Sequence, residues 1–348
     1  KGKRGFEHQK PSFCPDWPSL QSKVRDYHAR ALFLIDKSLF IGDFSVMRLL
    51  LLPAALFALS VAAFAADPGR ELVHDIVTEK DLIAAVIANA QKPEAQAGFR
   101  KALLAKAPDS PKAIDSLIGS LQLLVVAEAV QEGHRIEFTA VVGDINPKSR
   151  AFLLSQGVPS AFIEKTAAVV SVKVDGQELA GDALDDLAAE IAKDNKAEKA
   201  ANLSRAESAL ANLIFDKDLD TVVIIGARNQ EWKARLEQLA ASRPGFGRRL
   251  DAAKTSLTHL VFAGAKKDGM DIGFALALGD MNEKVRAAFL SSGIPEDLID
   301  ADTALLMVTI NGEQLKGDIL DQFAQGFKKA REKHTPPPAL KSLADLSK

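Results

Sequence analysis

The stretch that decides the fold is written twice. It reads Gly143-Asp144-Ile145-Asn146-Pro147-Lys148-Ser149-Arg150-Ala151, running on to Gly157-Val158-Pro159. It returns as Gly279-Asp280-Met281-Asn282-Glu283-Lys284-Val285-Arg286-Ala287, running on to Gly293-Ile294-Pro295. Of the 17 positions from Gly143 to Pro159, 10 are identical to the residue 136 further on. Chance gives about one, so the chain carries an internal duplication. Upstream, Ile76-Val77-Thr78-Glu79-Lys80-Asp81-Leu82 matches Leu213-Ile214-Phe215-Asp216-Lys217-Asp218-Leu219 at an offset of 137. Copy one spans 71–193 and copy two 208–329, joined by a charged, helix-prone linker around Asp194 to Lys199. Residues 330–348, interrupted by Pro336-Pro337-Pro338, are expected to form a flexible tail.

Within copy two, Thr221 to Ile225 is a β-branched run and reads as a strand. Glu231 to Ala241 has helical spacing, with Leu236, Leu239 and Ala240 on one side. Leu257–Ala265 and Asp271–Leu278 are apolar runs around Lys266-Lys267-Asp268-Gly269, a hairpin signal matched in copy one by Gln131-Glu132-Gly133-His134. A helix opened by Asn282 or Asn146 follows, then a strand, Ala304 to Ile310 or Ala167 to Val174. A closing helix carries Leu184, Leu187, Ala188 and Ile191 in copy one, and Leu320, Phe323, Ala324 and Phe327 in copy two. The order per copy is β-α-β-β-α-β plus a closing helix. That pattern predicts an α+β fold, a tandem duplication of a ferredoxin-like, split βαβ sandwich. The term is topological and carries no function.

The strand runs are apolar on both faces, as in Val222-Val223-Ile224-Ile225 and Leu260-Val261-Phe262-Ala263. A sheet with one wet face alternates instead. The expectation is that the second face is covered, by the other copy or by a second chain.

At the amino terminus, Met47-Arg48 precedes an apolar run from Leu49 that meets Ala63-Phe64-Ala65. A basic residue, an apolar core of about 17 residues and a small-x-small end predict a secretory signal peptide, residues 47–65, cleaved after Ala65. The run is short for a bilayer span. Residues 1–46, which hold the only Cys (Cys14) and the only Tyr (Tyr27), are expected to be upstream sequence outside the mature protein or a disordered segment. The full chain has 44 basic and 46 acidic residues. Residues 66–348 hold 35 and 41, a net of −6, which argues against a nucleic-acid partner. With no cysteine beyond Cys14, a disulfide or cysteine–metal site is excluded from residues 66–348.

The candidate ligand-binding groups are Asp144, Lys148 and Arg150, with their counterparts Asp280, Lys284 and Arg286. Asn146 and Asn282 read as N-caps, Pro147 suits the first helical position, and Gly157 and Gly293 end the helices. Cations in a first helical turn oppose the helix dipole, so the Lys and Arg behind each cap call for a local acidic partner or an external anion. A second repeated element, Asp175-Gly176-Gln177-Glu178 and Asn311-Gly312-Glu313-Gln314, signals a tight turn, with Asp182 and Asp318 as N-caps of the closing helices. It has too few alternating carboxylates for a calcium loop.

Asp185-Asp186, Asp216/Asp218 and Asp300/Asp302 read as solvated acidic pairs. His74, His134, His259 and His334 show no metal-ligand spacing, and His259 reads as a satisfied histidine within a strand. Trp232 reads as a packed core residue. No nucleophile elbow, phosphate loop or zincin pattern occurs, so no catalytic residue, metal or cofactor is assigned. The expected function is a non-catalytic binding or scaffold protein of the bacterial envelope, periplasmic or secreted, using the inter-domain surface. Its partner would be an unknown protein or small-molecule ligand, with a homodimer as one assembly and no stable membrane span after signal cleavage. The alternatives are a hydrolase or other enzyme with a polar site between the copies, and an envelope protein tethered by an uncleaved N-terminal anchor.

Overall fold

The computed structural model describes residues 68–79, 81–131, 133–194, 210, 213–227, 255–267 and 269–332. The signal peptide, most of the linker, the expected helix around Trp232, His334 and the tail from 333 lie outside the described residues. The first half runs α1 (Pro68–Thr78), β1 (Leu82–Asn89), α2 (Pro93–Lys106), α3 (Pro111–Ser120), β2 (Leu121–Gln131), β3 (His134–Gly143) and α4 (Pro147–Ser155). A 3-10 turn, Ser160–Phe162, leads to β4 (Ala167–Val174), β5 (Gln177–Glu178) and α5 (Asp182–Asp194). The second half contributes β6 (Leu219–Gly226), β7 (Leu257–Lys267), β8 (Met270–Gly279), α6 (Glu283–Ser291) and the 3-10 turn Glu296–Leu298. It closes with β9 (Thr303–Ile310), β10 (Glu313–Gln314) and α7 (Asp318–Glu332).

The protein is α+β, with one large antiparallel sheet of ten strands in the order β10-β9-β8-β7-β6-β1-β2-β3-β4-β5. Within each half the strands lie side by side in chain order. That corrects the expected split βαβ arrangement, which requires crossovers that set strands parallel. The cause lies in the connections. A single helix between β1 and β2 would deliver the chain to the far end of the sheet. Pro108 and Pro111 instead break that segment into α2 and α3, out and back, and Arg100 on α2 pairs with Asp115 on α3 (Nε–Oδ1 2.6 Å). The chain thus re-enters the sheet where it left, with Ala90 N donating to Gln122 O at 2.8 Å, and β2 lies antiparallel to β1.

The same pairings recur in the second half. Leu121 opposite Gly143 becomes Leu257 opposite Gly279, 136 residues on. The amide of Ala227 donates to Thr258 O at 2.8 Å, as that of Ala90 does to Gln122 O. The halves meet edge to edge through β1 and β6, where Val86 faces Val223. These two valines are counterparts at the offset of 137. Equivalent residues facing each other across an antiparallel pair place a local two-fold axis through that pair, normal to the sheet.

Edge-to-edge joining also corrects the expectation that the two copies cover each other's faces. Both faces are nonetheless covered. Ala84, Ala85, Val86 and Ile87 are consecutive and all buried, as are Val222, Val223 and Ile224. Each such valine or isoleucine side chain removed from water stabilises by about 1.5–3 kcal/mol. Helix α1 buries Leu72, Val73, Ile76 and Val77, and its Gly69 amide donates to Thr166 Oγ1 at 3.1 Å. Further ties cross between the halves: Arg70 lies over the Phe215 ring at 4.7 Å, and Lys92 pairs with Asp220 at 2.6 Å. No helix of the described residues is long and apolar enough to cross a membrane.

Candidate functional site

The repeated stretch is a compact turning module at the end of β3 and of β8. It opens on Gly143 and Gly279 because the chain passes directly against the start of β2 or β7. A Cβ on Gly143 would collide with Ser120 O, and one on Gly279 with Ser256 O. The next amide closes the turn: Asp144 N donates to Ser120 O and Asp280 N to Ser256 O, each at 3.0 Å. Ile145 and Met281 then plug the core. Asn146 caps α4, its side chain accepting from Lys148 N and Ser149 N at 3.0 Å. Asn282 does the same for Lys284 N and Val285 N at 3.2 Å.

The arginines behind the caps are occupied locally. Arg150 reaches over the end of its own module and donates to Ile163 O at 2.5 Å and to Ser160 O at 3.3 Å. Arg286 occupies the same place and pairs with Glu296, the counterpart of Ser160, at 3.3 Å. Near Arg150, burial pushes the half-buried Glu164 carboxyl upward, and the Arg150 charge opposes that shift. Asp144, Lys148, Asp280 and Lys284 are exposed. Asp280 accepts from Asn282 Nδ2 at 3.4 Å.

The two sets do not converge. Antiparallel pairing makes β6 run against β1, so β3 and β8 run in opposite directions and their ends lie at opposite ends of the sheet. They are also five strands apart, about 24 Å at a spacing of about 4.8 Å. Asp144, Lys148 and Arg150 thus form one locale, and Asp280, Lys284 and Arg286 a second.

On the outer face of the capped helix the copies agree at three positions and differ at one, where exposed Pro147 is replaced by exposed Glu283. In α4, Ser149, Phe152 and Leu153 point inward and are buried. Their counterparts in α6 are Val285, Ala288 and Phe289, a different residue at every position. Lys148, Ala151 and Leu154 point outward, and their counterparts Lys284, Ala287 and Leu290 are the same residues. Leu154 is 43% exposed and Leu290 40%. The signal was present in the comparison of the two stretches, but burial was needed to separate surface positions from core positions.

Elsewhere the acidic and histidine candidates are held in structural roles. Asp175-Gly176 and Asn311-Gly312 both have positive φ at each residue, 50° and 81° or 50° and 83°, the geometry of a two-residue type I′ hairpin. Asp175 accepts from Arg135 N at 2.9 Å and pairs with His134 Nδ1 at 2.8 Å. The His134 hydrogen bond, then the Arg135 amide, hold the Asp175 carboxyl below its ordinary range. Asp182 and Asp318 are the first residues of α5 and α7 rather than their caps. The preceding Gly181 carbonyl takes the Leu184 and Asp185 amides at 3.0 Å. Asp185 and Asp186 are exposed on α5. Asp216 accepts from the Asp218 amide at 2.9 Å, and Asp302 from the Thr303 hydroxyl at 3.3 Å. His259 is buried in β7, its Nε2 3.4 Å from Glu79 O, and His74 lies 3.3 Å from Asp75. Among the described residues no group of three or more His, Cys, Asp or Glu could hold a metal ion.

One polar feature is specific to the first half. Across β2, β3, β4 and β5, Glu128 faces Glu137, Glu137 faces Lys173, and Lys173 faces Glu178. Lys173 is buried and bonds Glu137 at 2.7 Å, while Glu178 takes Lys106 of α2 at 3.1 Å and Glu128 takes Arg135 at 2.7 Å. The same row in the second half is Gly264, Gly273, Thr309 and Gln314. A lone lysine within Ala167 to Val174 gives no sequence sign of burial.

No family model matches the chain, and no curated protein matches its sequence. A solved structure described as "Structure of crystal form III of TP0453" aligns with 72% of this chain and 95% of that chain, at 8% identity and a TM-score of 0.29. A likeness that low carries no argument about fold or function.

Proposed function

We propose that the protein is a non-catalytic binding or scaffold protein, exported to the periplasm or beyond by residues 47–65, whose interaction surface is the outer face of α4 and of α6. The observation that supports this reading is the inversion between core and surface in the repeated helix. Packing constrains buried positions most strongly, yet the buried positions of α4 and α6 differ while Lys148, Ala151 and Leu154 match Lys284, Ala287 and Leu290. Helix packing alone gives no reason for an exposed leucine to be the same twice. Contact with something outside the chain does. Arg150 and Arg286, serving their own turns, are scaffold in this reading, and Asp144, Lys148, Asp280 and Lys284 are the polar rim of the two patches. The polar groups of an enzyme site shared between the copies would have to act across the sheet, and the two patches stand too far apart for that.

A photo-crosslinking residue at Ala151 or Ala287 tests the reading in cells, with a third placed on the exposed Asp186 as control. Adducts from the first two positions and not from the control are expected; adducts from neither would overturn the proposal. Mass spectrometry of the exported protein is expected to find Ala66 at its amino terminus. An intact segment 47–65 would instead favour the tethered form.

A further inference from the structure

We infer that the charged row of the first half is a pairing code: it makes each half of the sheet assemble from its own strands while the chain folds, and it blocks exchange of β4 for β9. A duplicated chain carries that hazard, because elements so alike can dock on each other's partners. The two strand pairs concerned, β3–β4 and β8–β9, share one register. Ile136 faces Val174 as Ile272 faces Ile310, and Phe138 faces Val172 as Phe274 faces Val308. Each ladder also slips at the same place, after Thr139 or Ala275. On that face of the sheet an exchanged strand would fit.

On the other face the same ladders differ in kind. Glu137 faces Lys173 in the first half, and Gly273 faces Thr309 in the second. The Lys173 and Glu137 side chains are 9% and 17% exposed and bond at 2.7 Å. Thr309 is buried and leans over Gly273, its Oγ1 lying 2.5 Å from where a Cβ on that glycine would stand. One pair is thus filled by opposite charges, the other by a hydroxyl over bare backbone. Either exchange spoils the fit. With β4 laid on β8, Lys173 stands against Gly273 and away from the carboxylate that it bonds. With β9 laid on β3, Thr309 stands against Glu137, whose Cβ meets the threonine hydroxyl and whose carboxylate has lost its ammonium. Stranding a buried charge costs more than a matched buried pair contributes. The row therefore selects against the wrong partner more strongly than it stabilises the right one.

Oxidative refolding of the full chain tests the inference, with Cys14→Ser so that no native thiol competes. Thr139 faces Ser171 and Ala275 faces Met307. Thr139→Cys/Met307→Cys thus sets two thiols opposite each other only when β9 lies on β3; five strands separate them in the native sheet. Diluting this chain from urea is expected to give little disulfide product. Adding Glu137→Gly/Lys173→Thr, or separately Gly273→Glu/Thr309→Lys, gives both halves one row, and the product is expected to rise at least about fivefold. All four changes together exchange the rows and make the halves distinct again. That chain is expected to return to the starting level, which general destabilisation could not produce. A disulfide yield equal in every variant, or one that rises as far with four changes as with two, would overturn the inference.

Discussion

Val86 on β1 and Val223 on β6 are counterparts in the two halves and also partners across the strand pair that joins them. The ends of that seam are equivalent in position and different in chemistry. At one end Asn89 is buried and donates to Leu219 O at 2.9 Å and Lys217 O at 3.3 Å. Its counterpart at the other end is Gly226, where a Cβ would run into Leu82 O, the counterpart of that same Leu219 carbonyl. Gly226→Ala is therefore expected to lower the urea midpoint more than Asn89→Ala. The asparagine variant loses about 1–3 kcal/mol by leaving buried carbonyls unpaired. Equal effects would mean that the seam relaxes at the glycine end.

Ser149 is fully buried and its hydroxyl has no hydrogen-bond partner, whereas its counterpart Val285 is fully buried and apolar. Ser149→Val is expected to stabilise by about 1 kcal/mol, the relief of an unpaired buried hydroxyl less the lower helix propensity of valine. The converse, Val285→Ser, is expected to destabilise by about 1–3 kcal/mol. Thermal melts of both variants provide the comparison, and a destabilising Ser149→Val would show that the serine site lacks room.

Asp175 gives a pH dependence with a definite sign. Its carboxyl is held below its ordinary value of 3.8 by His134 and by the Arg135 amide. The interaction therefore stabilises the fold above that value and is lost as pH falls through the lower, folded value. Asp175→Asn keeps the acceptor for the Arg135 amide, as Asn311 does for the Asp271 amide at 2.9 Å, and removes the titration. The acid limb of a midpoint-against-pH curve is expected to be shallower in this variant, with near-neutral stability little changed. Identical acid limbs would show that the contact does not survive in solution.

The Glu137–Lys173 pair is expected to be costly to break and cheap to replace. Glu137→Gln leaves a buried ammonium without its counter-charge, at a cost of about 3–5 kcal/mol. Glu137→Leu/Lys173→Met removes both charges, and its loss is expected to be smaller than that of the single variant. Urea titrations of the three proteins measure the difference directly. A double variant less stable than Glu137→Gln would make the charges themselves net stabilisers.

What could be read in the sequence was local. The β4 boundaries, the Asn146 and Asn282 caps and the Asp175-Gly176 turn each follow from a few adjacent residues, and each stands where those residues place it. Strand order is not local. It depends on which end of the sheet each connection reaches, and the Pro108 to Pro111 break that decides this is a four-residue detail inside a helical segment. Lys173 on β4 is placed beside Glu137 of β3 and opposite Glu178 of β5, and the Glu137 partner comes from a separate element. Arg150 looked available because its acceptors, Ile163 O and Ser160 O, are backbone groups that no side-chain pattern marks, and Arg286 because Glu296 lies ten residues away, beyond its own helix.

A half of this protein on its own would end in β1, the run Leu82 to Asn89, eight residues of almost wholly apolar strand with unpaired amides along one side. Such an edge templates the addition of any extended chain and is a route to aggregation. Here its own twin, β6, occupies it. On the outer sides, the two-residue strands β5 and β10, bearing Glu178 and Glu313, pair with β4 only at Lys173 and Val174 and with β9 only at Thr309 and Ile310. Fusion of the copies thus closes the β1 edge with its own counterpart, and protection of that edge becomes a property of the duplication itself.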